Sequence, residues 1–206
     1  MLISLEGVAG SGKTTLRDRI LHLADERGIT VDHIGQFSWL SPSATRVLVA
    51  LRTGRAIVDE PDAVAAVLDD LALHARHNLA ATRGRHVIAD RLMLSSACLL
   101  ALIYLTPPTR HLDSLTHIVD ALPDLTVLVS TPVGICTDRL AARSSARRLG
   151  DDPLTAARLH TLYEQSADTW QHSVGLPVRR YELNTFDDTE RLARALLGEM
   201  ERKTIR

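Results

Sequence analysis

Lysine is nearly missing from this chain of 206 residues. Its 24 basic residues comprise 22 arginines and two lysines, Lys13 and Lys203. An arginine-rich chain that keeps a lysine at one position indicates that a compact ammonium is needed there rather than a broad, planar guanidinium. We therefore interpret Lys13, which lies in a glycine-rich segment, as a functional residue.

Other features are scarce as well, and each scarcity excludes a class of protein. The formal net charge is −1, so the strongly basic surface of a general nucleic-acid or anionic-membrane binder is lacking. No apolar run approaches the roughly 20 residues of a membrane span, and no export signal is visible at the start of the sequence. Cys98 and Cys136 lie in apolar contexts without CxxC spacing. We expect a cytoplasmic protein with buried thiols and with neither a nucleic-acid nor a membrane partner.

Repeats, low-complexity tracts and linkers are also lacking, so a single domain over residues 1–206 is expected. Strands are predicted at residues 2–6, 30–34, 86–90, 125–130 and 178–183. Helices are predicted at 13–27, 44–53, 62–83, 93–105, 112–121, 133–142, 154–173 and 188–203. Thr131-Pro132 and Asp152-Pro153 each pair a capping side chain with a proline that suits the first helical position. Because helices separate the strands, the predicted fold is a three-layer α/β/α sandwich around a five-stranded parallel sheet.

Residues 7–14 read G-x-x-x-x-G-K-T and lie between the first predicted strand and the first predicted helix. In that context backbone N–H groups and the helix dipole form a cradle for phosphate. The motif predicts that Lys13 reaches the terminal phosphates of a nucleoside triphosphate and that the Thr14 hydroxyl is placed for Mg²⁺. The residues assigned to the nucleotide here are Gly7, Ala9, Gly10, Ser11, Gly12, Lys13, Thr14 and Thr15.

Asp90 and Arg91 close the predicted strand 86–90, and ligands of such sheets gather at the carboxyl ends of the strands. Next to a phosphate loop, Asp90 can organise the metal and Arg91 can bind a transferring or acceptor phosphate. A surface ion pair at the strand end is the alternative. We therefore predict that Lys13, Asp90 and Arg91 are catalytic and that Thr14 and Asp90 serve the metal.

An arginine-rich segment follows the predicted helix 133–142 and predicts a lid at about 143–152. Arginines that close over a triphosphate can stabilise charge on the moving phosphoryl group and exclude water. A solvated basic loop is the alternative. The arginines concerned are Arg139, Arg143, Arg147 and Arg148, of which Arg143 and Arg147 are assigned to catalysis.

Gln36, Phe37 and Trp39 follow the second predicted strand, where an acceptor would dock. With only seven aromatic residues in the chain, two within three positions indicate either a stacking surface or a packing role. Arg76 and Asn78 lie in the long predicted helix, roughly 200° apart around an α-helix, so they can only flank a ligand from two edges. A polar helix face is the alternative for this pair, and Asp69 and Asp70 are interpreted as part of a solvated face.

The chain resembles the thymidylate kinase and deoxynucleoside kinase group of P-loop phosphotransferases. Residues 5–15 (LEGVAGSGKTT) are similar to the opening of that group, and residues 87–96 (VIADRLMLSS) are similar to the "DRY" segment of thymidylate kinases. Residues 123–129 (PDLTVLV) resemble the strand that precedes the lid helix. The matching segments occur in order along most of the chain.

The resemblance implies ATP and Mg²⁺ as cofactors, a nucleotide acceptor and a homodimer packed through helices. Arg46 resembles the arginine that holds the acceptor monophosphate, and Arg76 and Asn78 match an A-R-x-Q pattern that contacts the base, with Asn in place of Gln. Asn184 and Thr185 occupy the region that lines the adenine pocket. Glu6, Gln36, Phe37, Trp39, Arg46, Arg76, Asn78 and Arg91 are therefore assigned to the acceptor side. The apolar helix 93–105 is a candidate dimer surface or a part of the core.

The sequence departs from the family on its acceptor side. Ala9 replaces the usual acidic residue of the loop, Leu92 replaces the tyrosine of "DRY", and Leu99-Leu100 replaces Tyr-Gln. The acidic-Pro-Gly element after the second strand is missing, and so is the glutamate base of deoxynucleoside kinases. We expect a monophosphate kinase whose substrates can include a modified nucleotide. A nucleoside or other hydroxyl kinase and a nucleotide-dependent regulatory module are the alternatives.

Overall fold

A computed structural model describes residues 1–54, 56–142 and 149–204 of the chain. The strands are β1 Leu2–Glu6, β2 Val31–Gly35, β3 His86–Asp90, β4 Leu125–Val129 and β5 Val178–Tyr181. The α-helices are α1 Lys13–Glu26, α2 Pro42–Thr53, α3 Glu60–Leu73, α4 Met93–Tyr104, α5 Pro108–Leu115, α6 Val133–Ala141, α7 Pro153–Thr169 and α8 Phe186–Thr204.

The five strands form one sheet in the order β2-β3-β1-β4-β5, and every neighbouring pair is parallel. The predicted fold class is thereby confirmed. Leu5 of β1 and Gly35 of β2 both lie opposite Asp90 of β3. The carboxyl ends of these strands therefore meet at one edge, directly beside the glycine-rich loop that follows β1.

Alternate residues of the strands face two different apolar cores, which explains the three layers. Ile88 and Val127 pack with α1 and α8 on one face of the sheet. Their neighbours Val87 and Leu128 pack with the helices of the other face, α2 to α7. Strands buried on both faces read as continuous apolar runs, which is why the sequence predicted them well.

Three predicted helices are not α-helical throughout, and this part of the prediction was wrong. Residues His74–Leu79 and Trp170–Val174 are π-helical continuations of α3 and α7. The Ala80 N–H donates to the Ala75 carbonyl five residues back, which is the π pattern. Residues 112–121, predicted as one helix, contain only the end of α5 and a short 3₁₀ turn at Val119–Ala121.

The two predicted proline caps differ in outcome. Asp152 caps α7, because its carboxylate accepts from the Thr155 N–H at 2.9 Å and Pro153 occupies the first turn. Thr131 does not cap α6, which begins at Val133 after Pro132. Its hydroxyl instead donates to the Ser11 carbonyl and accepts from the Leu183 N–H, so it ties the glycine-rich loop to the chain after β5.

Helix α4 is buried on nearly all sides and belongs to the core, so it is not the dimer surface that its apolar sequence suggested. Cys98 of α4 and Cys136 of α6 are free, buried thiols, as predicted. Burial raises the pKa of both thiols. Among the helices of the described residues, none combines the length and the apolar character needed to cross a bilayer.

Candidate active site

The glycine-rich loop between β1 and α1 has a backbone that side chains would not permit. Gly7, Gly10 and Gly12 have φ values of 133°, 80° and 104°, in the region that favours glycine. A Cβ atom on Gly7 would lie 2.4 Å from the Val129 carbonyl oxygen, and one on Gly10 would lie 2.4 Å from that of Cys136. The loop therefore packs closely against β4 and α6. Gly12 is the N-cap residue of α1.

Lys13 folds back over this loop. Its Nζ donates to the Val8 carbonyl at 2.6 Å and to the Ser11 hydroxyl at 3.1 Å, and only 5% of the residue is exposed. Burial holds the pKa of Lys13 well below its usual value, and Arg91 lowers it further, against the opposing effect of Asp90 and Glu6. An incoming polyphosphate would supply the negative charge that this buried ammonium lacks.

Asp90, at the end of β3, is engaged by α1. Its carboxylate accepts from Arg17 Nη1 at 2.9 Å, and Arg17 Nη1 also lies 3.3 Å from His33 Nε2 of β2. Arg17 was not recognised from the sequence. Its position one turn after Thr14 on a helix that begins at the phosphate loop is the signal that points to it.

Arg91 directly follows β3 and has a φ of 74°, an unusual value for a residue with a side chain. Its Nη1 donates to the Gly7 carbonyl at 2.7 Å, to the Ser95 hydroxyl at 3.2 Å and to the Tyr163 hydroxyl at 2.5 Å. Although burial favours loss of the proton, Tyr163, Glu6 and Asp90 keep the pKa of Arg91 above its ordinary value.

Glu6 was assigned to the acceptor, and the structure corrects this. The carboxylate is buried and accepts from the Ser4 and Ser95 hydroxyls and from the backbone N–H groups of Leu92 and Ser95. These four bonds fill its acceptor positions, so it holds the N-terminus of α4 instead of a ligand. Burial outweighs these bonds and raises the pKa of Glu6.

Two cavities open at this edge of the sheet. The larger, of about 310 Å³, is lined by Ala9, Gly10, Gly12, Lys13, Thr14, Gly35, Gln36, Phe37, Trp39, Arg52, Asp90 and Arg91. The smaller, of about 120 Å³, is lined by Val8, Ala9, Gln36, Arg52, Arg91, Ser95, Leu99, Leu149, Gly150, Asp151, Leu159 and Tyr163. The structure therefore brings the glycine-rich loop, Asp90, Arg91 and the predicted acceptor loop together.

The loop after β2 carries an aromatic pair that stacks with an arginine. Phe37 and Trp39 meet edge to face with ring centroids 5.3 Å apart. The guanidinium carbon of Arg52, from the last turn of α2, lies 5.8 Å and 5.7 Å from these two centroids. Arg52 lines both cavities, so the aromatic pair supports a cation at their junction. Sequence reasoning missed Arg52, because only the fold shows which face of α2 turns inward.

Buried polar side chains from α3 and its π-helical continuation hold this loop. Asp70 accepts from the Ser38 N–H and hydroxyl at 2.8 and 2.7 Å and from the Trp39 N–H at 3.0 Å, so its predicted solvation was wrong. The Nε2 atom of His74 lies 2.8 Å from the Gly35 carbonyl oxygen. Because Asp70 and His74 hold the two ends of this loop, Trp39 can keep a left-handed φ of 59°.

Three residues assigned to the acceptor do not reach the cavities. Arg46 and Arg76 are exposed and lie outside the walls that the described residues form. The Nδ2 atom of Asn78 lies 2.8 Å from His74 Nδ1, which places Asn78 behind the loop anchor. Arg76 and Asn78 both belong to the π-helical segment.

Arg139 of α6 joins the glycine-rich loop to the segment after β5. Its Nη1 donates to the Gly10 carbonyl at 3.4 Å, and its Nη2 donates to the carbonyls of Leu183 and Asn184 at 2.8 and 3.0 Å. Arg139 thus connects the Asn184 backbone to the glycine-rich loop, and the assignment of Asn184 to the nucleotide stays a prediction. The Thr185 hydroxyl donates to Asp188 at 2.8 Å and accepts from its N–H, which caps α8.

Arg143, Arg147 and Arg148, the predicted lid arginines, lie outside the described residues. Gly150 and Asp151, at the end of the predicted lid segment, line the smaller cavity. The Leu149 N–H also donates to the Arg52 carbonyl at 3.4 Å, so the described end of the segment contacts α2.

The donor set of the larger cavity fits a magnesium ion. Thr14 and Asp90 both line it, and their side chains carry the hard oxygen donors that Mg²⁺ prefers. Within the described ranges, no group of three or more His, Cys, Asp or Glu side chains forms a metal cage of its own. One carboxylate, one hydroxyl and substrate phosphates are a usual way of binding this ion.

Two comparisons with known proteins agree with this geometry. The family model described as "Thymidylate kinase" matches residues 5–174. A probable thymidylate kinase of Methanospirillum hungatei JF-1 (strain ATCC 27890 / DSM 864 / NBRC 100397 / JF-1) is 31% identical over 159 residues, which covers 70% of each chain. The matched region contains the glycine-rich loop, the acceptor loop and the Asp90-Arg91 pair. The chain therefore belongs to the thymidylate kinase family and is a nucleotide kinase.

Proposed function

We propose that this chain transfers the γ-phosphoryl group of ATP, in a magnesium-dependent reaction, to a nucleoside monophosphate. The observation that carries the proposal is the charge of the larger cavity. Its described lining includes the three cationic residues Lys13, Arg52 and Arg91 but a single carboxylate, that of Asp90. A cavity with this excess of cations suits two phosphate chains placed end to end.

On the donor side, Lys13 and the loop amides would bind the ATP phosphates. Lys13 would exchange its bonds to Val8 and Ser11 for phosphate oxygens. Among the described residues, Arg139 and Asn184 lie beside the loop and are our candidates for contact with the adenosine part of ATP. Thr14 and Asp90 would hold Mg²⁺, which when bound neutralises phosphate charge. Arg17 would then have to share Asp90 or release it.

On the acceptor side, Arg91 and Arg52 would bind the monophosphate at the junction of the cavities. Gln36 also lines both cavities and provides an amide for the base or sugar. Phosphoryl transfer passes through a loose transition state, so positioning and cationic contacts accelerate it more than a strong base would. A monophosphate is already anionic and suits such a site, whereas a hydroxyl acceptor would need a base.

The relative, a probable thymidylate kinase, points to thymidylate as the acceptor. The departures from the family at Ala9, Leu92 and Leu99 widen the proposal to a modified pyrimidine nucleotide. We further propose a homodimer, on the family resemblance, and a cytoplasmic location, where ATP is available and the buried thiols stay reduced.

The test is a panel of natural and modified nucleoside monophosphates and nucleosides, with ADP release measured and products identified by mass spectrometry. A new nucleoside diphosphate, formed only with Mg²⁺, is the expected result. Phosphorylation of a nucleoside instead would favour the hydroxyl-kinase alternative. ADP release that is independent of any acceptor would favour a nucleotide-hydrolysing regulatory module, and either result overturns the proposal.

A further inference from the structure

A buried chain of hydrogen bonds runs from Arg91 into the protein. Tyr163 of α7 lies 2.5 Å from Arg91 Nη1, and its hydroxyl lies 2.7 Å from the Ser95 hydroxyl of α4. Ser95 in turn donates to the buried carboxylate of Glu6 at the end of β1. Three elements, β1, α4 and α7, thus meet at one guanidinium.

The direction of this chain is determined by which atoms can donate. A guanidinium only donates, and an ionised carboxylate only accepts. Ser95 has one hydroxyl proton, which goes to Glu6, so its oxygen accepts from Tyr163. The Tyr163 proton therefore goes to Ser95, and the Tyr163 oxygen accepts from Arg91. Arg91, Tyr163, Ser95 and Glu6 form one ordered relay of donors.

Within the described residues, the relay uses one end of the Arg91 guanidinium. All three side-chain hydrogen bonds from Arg91 to the described part of the chain start at Nη1, including the bond to the Gly7 carbonyl. Arg91 nevertheless lines both cavities. The left-handed backbone of Arg91 at the end of β3 is also strained, and surrounding contacts must offset the cost of this strain.

We infer that Tyr163 is a positioning residue, which acts through Arg91 and holds its guanidinium toward the acceptor phosphate. The inference goes beyond the proposed function but rests on it. Neither Tyr163 nor Glu6 needs to touch the reacting atoms for this role. Burial also raises the pKa of the Tyr163 phenol, so the hydroxyl keeps the proton that it donates to Ser95.

The test is Tyr163→Phe, which keeps the buried ring and removes the hydroxyl. We expect kcat/KM for the acceptor monophosphate to fall about tenfold or more, because an ordered bond to a charged group is lost. The KM for ATP should stay within twofold. The matched control is Tyr104→Phe on α4, whose hydroxyl donates to the Val58 carbonyl at 2.7 Å outside both cavities. The control should keep its activity within twofold.

A second measurement separates positioning from direct substrate contact, since Tyr163 lines the smaller cavity. Tyr163→Phe is combined with Arg91→Gln, and its effect on kcat/KM is compared in the two backgrounds. A residue that acts through Arg91 should change the Arg91→Gln enzyme less than twofold. An equal loss in both backgrounds would overturn the inference, as would a Tyr163→Phe enzyme with normal activity.

Ser95→Ala breaks the same relay at its next member and serves if Tyr163→Phe loses its cooperative thermal transition. The expected result is again a lower kcat/KM for the acceptor with an unchanged KM for ATP, and full activity would overturn the inference. If the unmodified chain phosphorylates no monophosphate at all, the proposed function fails instead. The two failures are therefore distinguishable.

Discussion

Replacing Lys13 by alanine removes the ammonium that lies over the phosphate loop. We expect kcat/KM to fall at least about 100-fold, because a buried cation placed where charge develops contributes on the order of 3 kcal/mol or more. The fold should persist, since the hydrogen bonds of the Lys13 ammonium to the described residues go to Val8 and Ser11 of its own loop. Steady-state kinetics together with thermal unfolding checks both statements.

Lys203 offers a matched control, because it is the other lysine of the sequence. It pairs with Asp124 at 2.8 Å on the surface, far along the chain from the loop. Lys203→Ala should leave kcat/KM within twofold. If both lysine variants lost activity equally, the role assigned to Lys13 would not hold.

Arg52 and Arg46 lie on the same helix, α2, but we expect opposite effects on acceptor binding when each is replaced. They are six residues apart, about 240° around an α-helix, so they cannot share a face. Arg52→Gln should raise the KM for the acceptor about tenfold or more and leave the KM for ATP unchanged, whereas Arg46→Gln should change neither beyond twofold. Initial-rate kinetics with each substrate varied in turn distinguish the two arginines, and the reverse pattern would restore the assignment by resemblance.

The position of a single residue could be predicted where a motif imposes one backbone geometry. Lys13, Asp90 and Arg91 line one cavity, because their order along a strand and a loop leaves little freedom, and their catalytic roles stay predictions. Glu6 and Asp70 were not placed correctly, because a carboxylate in a sequence gives no sign of the donors that will surround it. Burial of such groups depends on partners that are far away along the chain.

At the scale of elements, the glycine-rich loop approaches α6 so closely that a side chain at Gly10 should disturb it. Gly10→Ala puts a Cβ atom 2.4 Å from the Cys136 carbonyl at a φ of 80°, so the loop must shift away from α6. We expect the affinity for a non-hydrolysable ATP analogue to fall at least about tenfold, as measured by calorimetry, with a lowered Tm.

Gly134→Ala is the comparison for that variant, because Gly134 lies near the start of α6 and a Cβ atom added there would meet no atom of the described residues within 4 Å apart from its own helix. It should bind the analogue normally and change Tm by no more than about 1–2 °C. Weak binding in both variants would show that α6, rather than the close approach at Gly10, is the sensitive feature.

Elements were predictable as far as their apolar period extends. Strands such as Leu125–Val129 are buried on both faces and appear as apolar runs, so their positions were nearly correct. The π-helical segments at His74–Leu79 and Trp170–Val174 were not predictable, since a change from i−4 to i−5 bonding leaves no comparable pattern. The role of Thr131 was not predictable either. Thr131-Pro132 has the sequence of a helix cap, but the Thr131 hydroxyl donates to the distant Ser11 carbonyl instead.

At the scale of the whole molecule, Glu190 joins the first helix to the last. Its carboxylate accepts from Arg19 of α1 and pairs with Arg194 of α8, and these arginines lower the pKa of Glu190 from 4.5 to about 2. A carboxyl with a lowered pKa in the folded state stabilises the fold above its ordinary pKa and loses that effect as the pH falls from about 4.5 to about 2.

Glu190→Gln should therefore lower Tm by roughly 1–4 °C at pH 7, and the difference from the unmodified chain should shrink toward pH 2. Thermal unfolding across this range measures it. Glu26→Gln, on an exposed part of α1 near His22, is the control and should leave Tm nearly unchanged at pH 7. A Tm difference that does not vary with pH would contradict the pairing as its cause.

The burial of Cys98 and Cys136 has a practical consequence for following this enzyme in solution. Alkylating and fluorescent maleimide reagents need an exposed thiolate, so the folded chain should react slowly and the unfolded chain quickly. The rate of labelling therefore measures unfolding of the whole chain, and no mutation is needed. A Trp39→Cys substitution, at a residue that is 43% exposed on the acceptor loop, would carry a dye selectively and report occupancy of the acceptor site.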